Sequence, residues 1–365
     1  MTNYKKCSKC LMDESAKDFV IHSDGCSYCI PYRELSNKKT DFRNKNNINE
    51  FIVNVKAKNR KSKYDCIVGV SGGVDSSWVL VKAKEYGLNP LAVHMDNGWN
   101  SELAQNNINN LIRTLEIDLY TYVINWNEYR ELMNQLFDSD VIDVELLHDN
   151  AMLAVNYMIA KKFGIKTILS GMNTSTEGMA MPKNWNWFKY DKKQIKHFSK
   201  KCNIPIKTFP SIGTFNFLYS TYIKKITWEH FLDCFDFNKE EALINLEKNY
   251  AYKRYPYKHY ESVFTRFYQG YILPEKFNVD KRILHLSTLV ISGQLDRVDA
   301  VEIIKKRPYD DEIELLSDLK YFLKKMKWDE NKFNEYISRK EISHSDYPSE
   351  KSLWERLIQI KQYIK

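Results

Sequence analysis

The chain has 365 residues, 43% hydrophobic and 28% charged, enough apolar material for a sizeable core shared by two or three domains. Lys and Arg number 55 against 47 Asp and Glu, a formal charge of +8. That surplus suits anionic ligands (nucleotides, nucleotide-sugars, RNA), and equally a solvated lysine surface. No apolar run is long enough to cross a bilayer and nothing near the start resembles a targeting peptide, so no membrane partner is expected and the expected compartment is the cytoplasm.

Four of the seven cysteines come first, in the spacing C-x2-C-x15-C-x2-C formed by Cys7, Cys10, Cys26 and Cys29. Each pair fits a tight turn that aims two sulfurs at one tetrahedral ion, and Asp24-Gly25 supplies a turn that brings the pairs together. Four thiolates fill the shell of Zn2+, so a structural zinc knuckle is expected over residues 1–35. Two disulfides are the alternative and would require export. The stretch 36–63 is polar and basic around one apolar patch at Phe51–Val55 and reads as a linker with one short helix.

From residue 64 strands and helices alternate. "YDCIVGV" fits a buried strand, and "VDSSWVLVKAKEYG" has helical spacing ending at Gly87. Strand and helix patterns then repeat through "NPLAVHM", "SELAQNNINNLIRTLE", "DLYTYVI", "NEYRELMNQLF", "LLHDNAMLAVNYMIAKKFG" and "IKTILSG". This predicts an α/β domain over 64–215, a doubly wound parallel sheet with its ligand crevice at the carboxyl ends of the strands. "DKKQIKHFSKKC" and "IPIKTFP" are candidates for one more helix and strand.

Between the first strand and its helix stand Ser71, Gly72, Gly73, Asp75 and Ser76. The glycines let the backbone turn sharply, and the following amides with the helix N-terminus make a concave site for phosphate. Asp75 beside a phosphate implies Mg2+ between them. S-G-G-x-D-S in this context resembles the PP-loop of the ATP pyrophosphatases, whose fold is that of the adenine nucleotide alpha hydrolases. The resemblance implies that these five residues hold the pyrophosphate leaving ATP. His94, Asp96, Asn97 and Gly98 end the second strand, and Gly171, Asn173, Thr174, Glu177 and Gly178 follow a later one. Either group would face the nucleotide or be an ordinary polar loop; Asp96 and Glu177 are the additional metal or base candidates.

Over 216–365 helical patterns dominate. In "KHYESVFTRFYQGYILPEKFNVDKRILHLSTLV" Tyr260, Val263, Phe264, Phe267 and Tyr271 make an apolar stripe opposite Lys258, Ser262, Thr265 and Gln269. Pro274 is expected to break this helix and Asp280 to cap the next. Lys258, Arg266, Lys281 and Arg282 place cations near the two helix starts, where they would neutralise a triphosphate or simply form a solvated face. The four-cysteine knuckle, "GVSGGVDSS", "HMDNGW", "LSGMN" and "KHYES" to "DKR", in that order, resemble the N-acetyl sugar amidotransferases of WbpG/PseA type. That family serves lipopolysaccharide and nonulosonic acid biosynthesis.

The resemblance implies a ligase that adenylylates a sugar N-acetyl group with ATP and replaces AMP by ammonia, leaving an acetamidino sugar. Its substrate would be an N-acetylated sugar, nucleotide-linked or a sialic-type acid. Residue 2 is threonine and Cys7 is committed to metal, and no glutaminase domain is legible. Ammonia is therefore expected from a separate glutaminase, which the resemblance makes HisH/HisF-like. A PP-loop tRNA-modifying enzyme of thiolase type is the alternative, but Cys66, Cys202 and Cys234 stand apart and no RNA-binding module is recognisable. Nucleic acid is not the expected partner.

Overall fold

The computed structural model describes residues 4–45, 48–255, 260–309 and 311–364. The cysteine-rich start forms a two-residue hairpin, β1 (Ile21–His22) against β2 (Gly25–Cys26). Helix α1 (Cys29–Lys45) begins on the last cysteine and continues through the stretch expected to be a linker; α2 (Ile48–Asn59) follows. Ile52 and Val55 of α2 are buried beside the sheet. Asn59 ties the helix to it, donating to Thr167 Oγ1 and accepting from the Lys166 N–H. The described residues of 36–63 are thus largely two helices rather than a linker with one.

Five parallel strands form the sheet: β3 (Cys66–Gly69), β4 (Pro90–Asp96), β5 (Asp118–Val123), β6 (Thr167–Ser170) and β7 (Thr227–His230), in the order β5-β4-β3-β6-β7. The chain winds outward from β3 in one direction, then returns and winds outward in the other. The switch point therefore lies between β3 and β6, which is where such sheets bind ligands. Side chains alternate as a sheet covered on both faces requires. Cys66, Val68 and Val70 join one core cluster with Ala92, while Ile67, Leu91 and Val93 join the other. Helices α3 (Val74–Glu85), α4 (Glu102–Leu115), α5 (Trp126–Asp138) and α6 (Leu146–Phe163) lie where the periodicity placed them, and α7 (Thr174–Glu177) follows β6.

After α8 (Lys192–Ser199) the expected strand over 204–210 is absent. Two prolines flank it, and the amides between them are used elsewhere: Lys207, Thr208 and Phe209 N–H groups donate to the Glu128 carboxylate. Burial pushes the Glu128 carboxyl up, but these donors outweigh it and hold the group below its ordinary range. The fifth strand is instead β7, "TWEH", after α9 (Thr214–Leu218) and a π-helical turn. Strand structure thus continues past residue 215, where it was expected to stop.

The remaining helices are α10 (Lys239–Tyr250), α11 (Val263–Phe267), α12 (Leu273–Phe277), α13 (Arg282–Ile291), α14 (Arg297–Lys305), α15 (Glu312–Met326), α16 (Glu330–Ser338) and α17 (Lys351–Ile364). Pro274 does not break its helix. A π-helical turn, Tyr268–Ile272, joins α11 to α12, and Pro274 sits in the first turn of α12; the wider turn accommodates a ring that cannot donate to the residue four back. Ser262 caps α11 rather than lining its polar face; Asp280 accepts the Arg282 N–H, but the cap position of α13 falls on Lys281 instead. Phe137 of α5 enters an aromatic cluster of Phe264, Phe322, Trp328 and Tyr336, with ring centroids 5.1–6.2 Å away, so one core runs from sheet to C-terminal helices. Among the described residues no helix is long and apolar enough to cross a membrane.

His344 fastens the C-terminal turn to this core. Its Nε2 accepts the Asp143 N–H at 3.1 Å, its Nδ1 lies 2.6 Å from Gln194 Oε1, and its ring stacks on Trp187. Burial pushes its pKa down to about 4, against the opposing pull of Asp143. The folded pKa lies below the ordinary 6.5, so the unfolded chain binds the extra proton. Stability from this group is complete above that pH and is lost as pH falls towards 4. His344→Gln should flatten the fall in thermal midpoint between pH 7.5 and 5 relative to wild type, a ceiling of about 3 kcal/mol at full effect.

Candidate active site

The switch point is occupied by the turn between β3 and α3. Gly72 has φ +87°, and a Cβ there would lie 2.8 Å from the Ala104 carbonyl oxygen of α4; only glycine satisfies both demands. Gly73 is the N-cap of α3 and supplies no side-chain cap, which leaves the first-turn amides of Val74, Asp75 and Ser76 facing the crevice as an anion site. Ser71 and Ser76 close its rim: their hydroxyls are 3.5 Å apart, and the Gly73 N–H reaches Ser71 Oγ at 3.3 Å. Across the switch point Gly171 passes so close that its Cβ would meet Ser76 N at 3.0 Å. Asn173 donates to Asp75 Oδ1 at 3.3 Å while accepting the Thr176 N–H as cap of α7. Ser71, Gly72, Gly73, Asp75, Ser76, Gly171 and Asn173 therefore converge on one place. Glu177 lies half-buried at the far end of α7.

The tip of β4 stands alongside, with its polar groups engaged. His94 Nδ1 lies 2.9 Å from the Val70 carbonyl oxygen and its Nε2 3.1 Å from Asn100 Nδ2, which ties the ends of β3 and β4 together. Asp96 Oδ1 accepts from Gly98 N and Asn100 Nδ2; Asn97 pairs with His148 and accepts the Trp99 N–H. Trp99 is fully buried among Trp126, Phe264 and Phe322. Lys325 of α15, which sequence reasoning did not single out, reaches the Gly98 carbonyl at 2.9 Å across the Trp126 face. Burial draws its ammonium below the usual lysine range, with Asp96 opposing.

Of the cations expected to gather against phosphate, the three described are each held by a carboxylate. Arg266 is held by Asp318 and Glu314, Lys281 by Glu145 at 3.0 Å, and Arg282 by Asp280 and the Lys306 carbonyl. Lys281 is only 7% exposed, and a cation so buried requires a carboxylate. Burial raises the Glu145 carboxyl, but Lys281 outweighs it and keeps Glu145 ionised. Lys258 lies outside the described residues.

What the C-terminal half does bring to the turn is Glu261. Its carbonyl accepts the Ser101 N–H, and Val263 N donates to the Trp99 carbonyl, so the chain is stitched to the loop after β4. Its carboxylate lies 3.4 Å from the Cβ position of Gly73. With Asp75 it is a second acidic group at the anion site, suited to a shared Mg2+. Two tyrosine hydroxyls, from Tyr252 and Tyr255, also reach the turn.

The four N-terminal cysteines are buried with all Sγ atoms within 4.8 Å of one another. Sγ–Sγ distances of 4.0, 3.7 and 3.6 Å for Cys7–Cys29, Cys10–Cys26 and Cys26–Cys29 exceed any disulfide. They match the ~3.8 Å edge of a tetrahedron with sulfurs about 2.3 Å from a central ion. Lys9 and Cys26 N–H groups donate to Cys7 and Cys29 sulfurs. Arg297 of α14 donates to the Cys7 and Cys10 carbonyls, and Ser287 of α13 accepts the Leu11 N–H, which docks the knuckle on the C-terminal helices.

Comparison with known proteins agrees with this architecture. Residues 45–180 match the NAD synthase family, and residues 261–361 match the C-terminal domain of WbpG-like LPS biosynthesis proteins. An uncharacterised protein of Methanocaldococcus jannaschii is 27% identical over 168 residues, 46% of this chain and 58% of that relative's length. Among solved structures, the NMN synthetase of Francisella tularensis aligns at 14% identity, over 63% of this chain and 99% of its own, with TM-score 0.30. The NH3-dependent NAD synthetase of Campylobacter jejuni aligns at 16%, over 60% and 84%, with TM-score 0.28. Overlaps that weak leave the assignment to the sequence matches and the turn itself. Fold, turn and the match over residues 45–180 are those of the PP-loop ATP pyrophosphatase class. Behind it the chain carries a stretch similar to the WbpG-like C-terminal domain, a match that begins at Glu261.

Gly164 also has positive φ, +71°, but open space around its Cβ position. Gly164→Ala should cost about 1–2 kcal/mol in denaturant unfolding. Gly72→Ala should cost about 1–3 kcal/mol more, because it adds the Ala104 clash.

Proposed function

We propose that this protein is an ATP-dependent amidotransferase that converts an N-acetyl group of a sugar into an acetamidino group. One observation carries the reading: the first residue of the WbpG-like domain, Glu261, lies over the glycine turn of the PP-loop domain. A domain named for LPS biosynthesis and a turn built for pyrophosphate thus share one crevice.

An amide oxygen is a poor leaving group, and adenylylation improves it. The acetamido oxygen attacks the α-phosphorus of ATP; the bond to the β,γ-diphosphate breaks and pyrophosphate departs. Ammonia adds to the imidate carbon of the O-adenylyl intermediate, AMP leaves carrying the former amide oxygen, and loss of a proton gives the amidine. The protein's contribution is positioning and charge. The amides of Val74, Asp75 and Ser76, with the Ser71 and Ser76 hydroxyls, receive the developing pyrophosphate. Asp75 and Glu261 would hold Mg2+, which supplies charge neutralisation between the phosphates.

Ammonia arrives in this reading from a separate, HisH/HisF-like glutaminase. Zinc occupies the four-cysteine site and is structural, since four sulfurs leave no position for water. The knuckle it holds braces α13 and α14 through Arg297 and Ser287.

ATP–pyrophosphate exchange and AMP formation, measured with ammonium against N-acetylated nucleotide-sugars, sialic-type acids and tRNA, test the reading. Sugar-dependent AMP formation is expected; tRNA-dependent AMP formation, or turnover of glutamine by the isolated chain, would contradict it. Metal analysis should find about one zinc per chain, and Cys29→Ser should abolish it while lowering thermal stability. A full complement of zinc in that variant would place the metal elsewhere.

A further inference from the structure

The segment linking α10 to α11 has a role at the turn that neither domain match covers. Ala251 ends α10 in the left-handed region, φ +49°. The chain is then zipped to α4: Asn107 Oδ1 accepts the Lys253 N–H and Asn107 Nδ2 donates to the Lys253 carbonyl, each at 2.9 Å. Asn110 Nδ2 donates to the Ala251 carbonyl at 3.0 Å. This is the helix whose Ala104 abuts Gly72, so the strap and the glycine turn share one support. From the strap Tyr252 and Tyr255 each donate a hydroxyl to the same atom, the Gly72 carbonyl oxygen, at 2.9 and 3.0 Å. Tyr252 is 3% exposed, and the two rings meet edge to face.

A trans peptide carries its C=O and N–H on opposite edges. Holding the Gly72 carbonyl on the tyrosine side therefore fixes the Gly73 N–H on the other, where it meets Ser71 Oγ at the anion rim. The point needs fixing because the bond joins two glycines, the residues least resistant to rotation. A flipped peptide would present a carbonyl oxygen to the phosphate and repel it. We infer that Tyr252 and Tyr255 are positioning residues, a paired lock that keeps the Gly72–Gly73 amide turned towards the departing pyrophosphate. The inference rests on the reading of this turn as the pyrophosphate site.

A carbonyl oxygen has two lone pairs, so the two hydroxyls bind independently and either alone restrains the peptide. That redundancy gives the lock a signature distinct from simple packing. Binding of inorganic pyrophosphate with Mg2+ is to be measured by calorimetry for wild type, Y252F, Y255F and the double variant, with thermal midpoints alongside. Phenylalanine keeps both rings and removes only the hydroxyls. Each single variant should bind within about threefold of wild type, and the double at least about tenfold more weakly, a loss larger than the product of the singles. Rates of AMP formation should fall in the same non-additive order. Undiminished pyrophosphate affinity in the double variant, or strictly multiplicative losses, would overturn the lock; so would a lowered midpoint with unchanged affinity. Wild-type protein that binds no pyrophosphate would sink the reading of the turn, and the lock with it.

Discussion

Everything at the crevice depends on one reversal of direction: β3 must hand over to α3 in four residues at the switch point of the sheet. Four elements crowd that reversal. Ala104 of α4 leaves no room for a side chain on Gly72, and Gly171 after β6 passes within contact of the Ser76 amide. Glu261 stands over Gly73, and two tyrosines take the Gly72 carbonyl. The result is a set of N–H groups held facing the crevice before any ligand arrives. Amides fixed in advance stabilise a leaving anion without reorganisation, which is where such sites gain their effect.

This arrangement explains why the two halves of the chain do not separate. The C-terminal helices share a core with the sheet through Phe137 and Trp99, and their first residues are stitched to the loop after β4. The buried pair Lys281–Glu145 adds an ionic tie between the two halves, and Arg266–Asp318 another among the C-terminal helices. The knuckle extends the same logic outward, since Arg297 fastens its cysteine carbonyls to α14.

Much of the fold and of the phosphate turn was legible from local pattern. Parallel strands buried on both faces announce themselves as apolar runs, helices as a 3.6-residue period, and Ser71–Ser76 as glycines between the two. The four-cysteine spacing was equally local. What escaped was set by partners distant in sequence. β7 is four residues long and becomes a strand only by lying against β6, while 204–210 lost strand structure to the Glu128 carboxylate. A lone arginine cannot show that Asp318 will claim it. Nor could the tyrosine-rich run before residue 256 reveal that Tyr252 and Tyr255 meet on one carbonyl 180 residues earlier for the first of them.

A crystal structure with Mg2+ and a non-hydrolysable ATP analogue tests the central claim most directly. The account requires the β- and γ-phosphates to lie against the amides of residues 73–76, with the Gly72 carbonyl still on both tyrosine hydroxyls and Glu261 beside the cation. Phosphates bound away from this turn, or a Gly72 carbonyl rotated into the crevice, would contradict it.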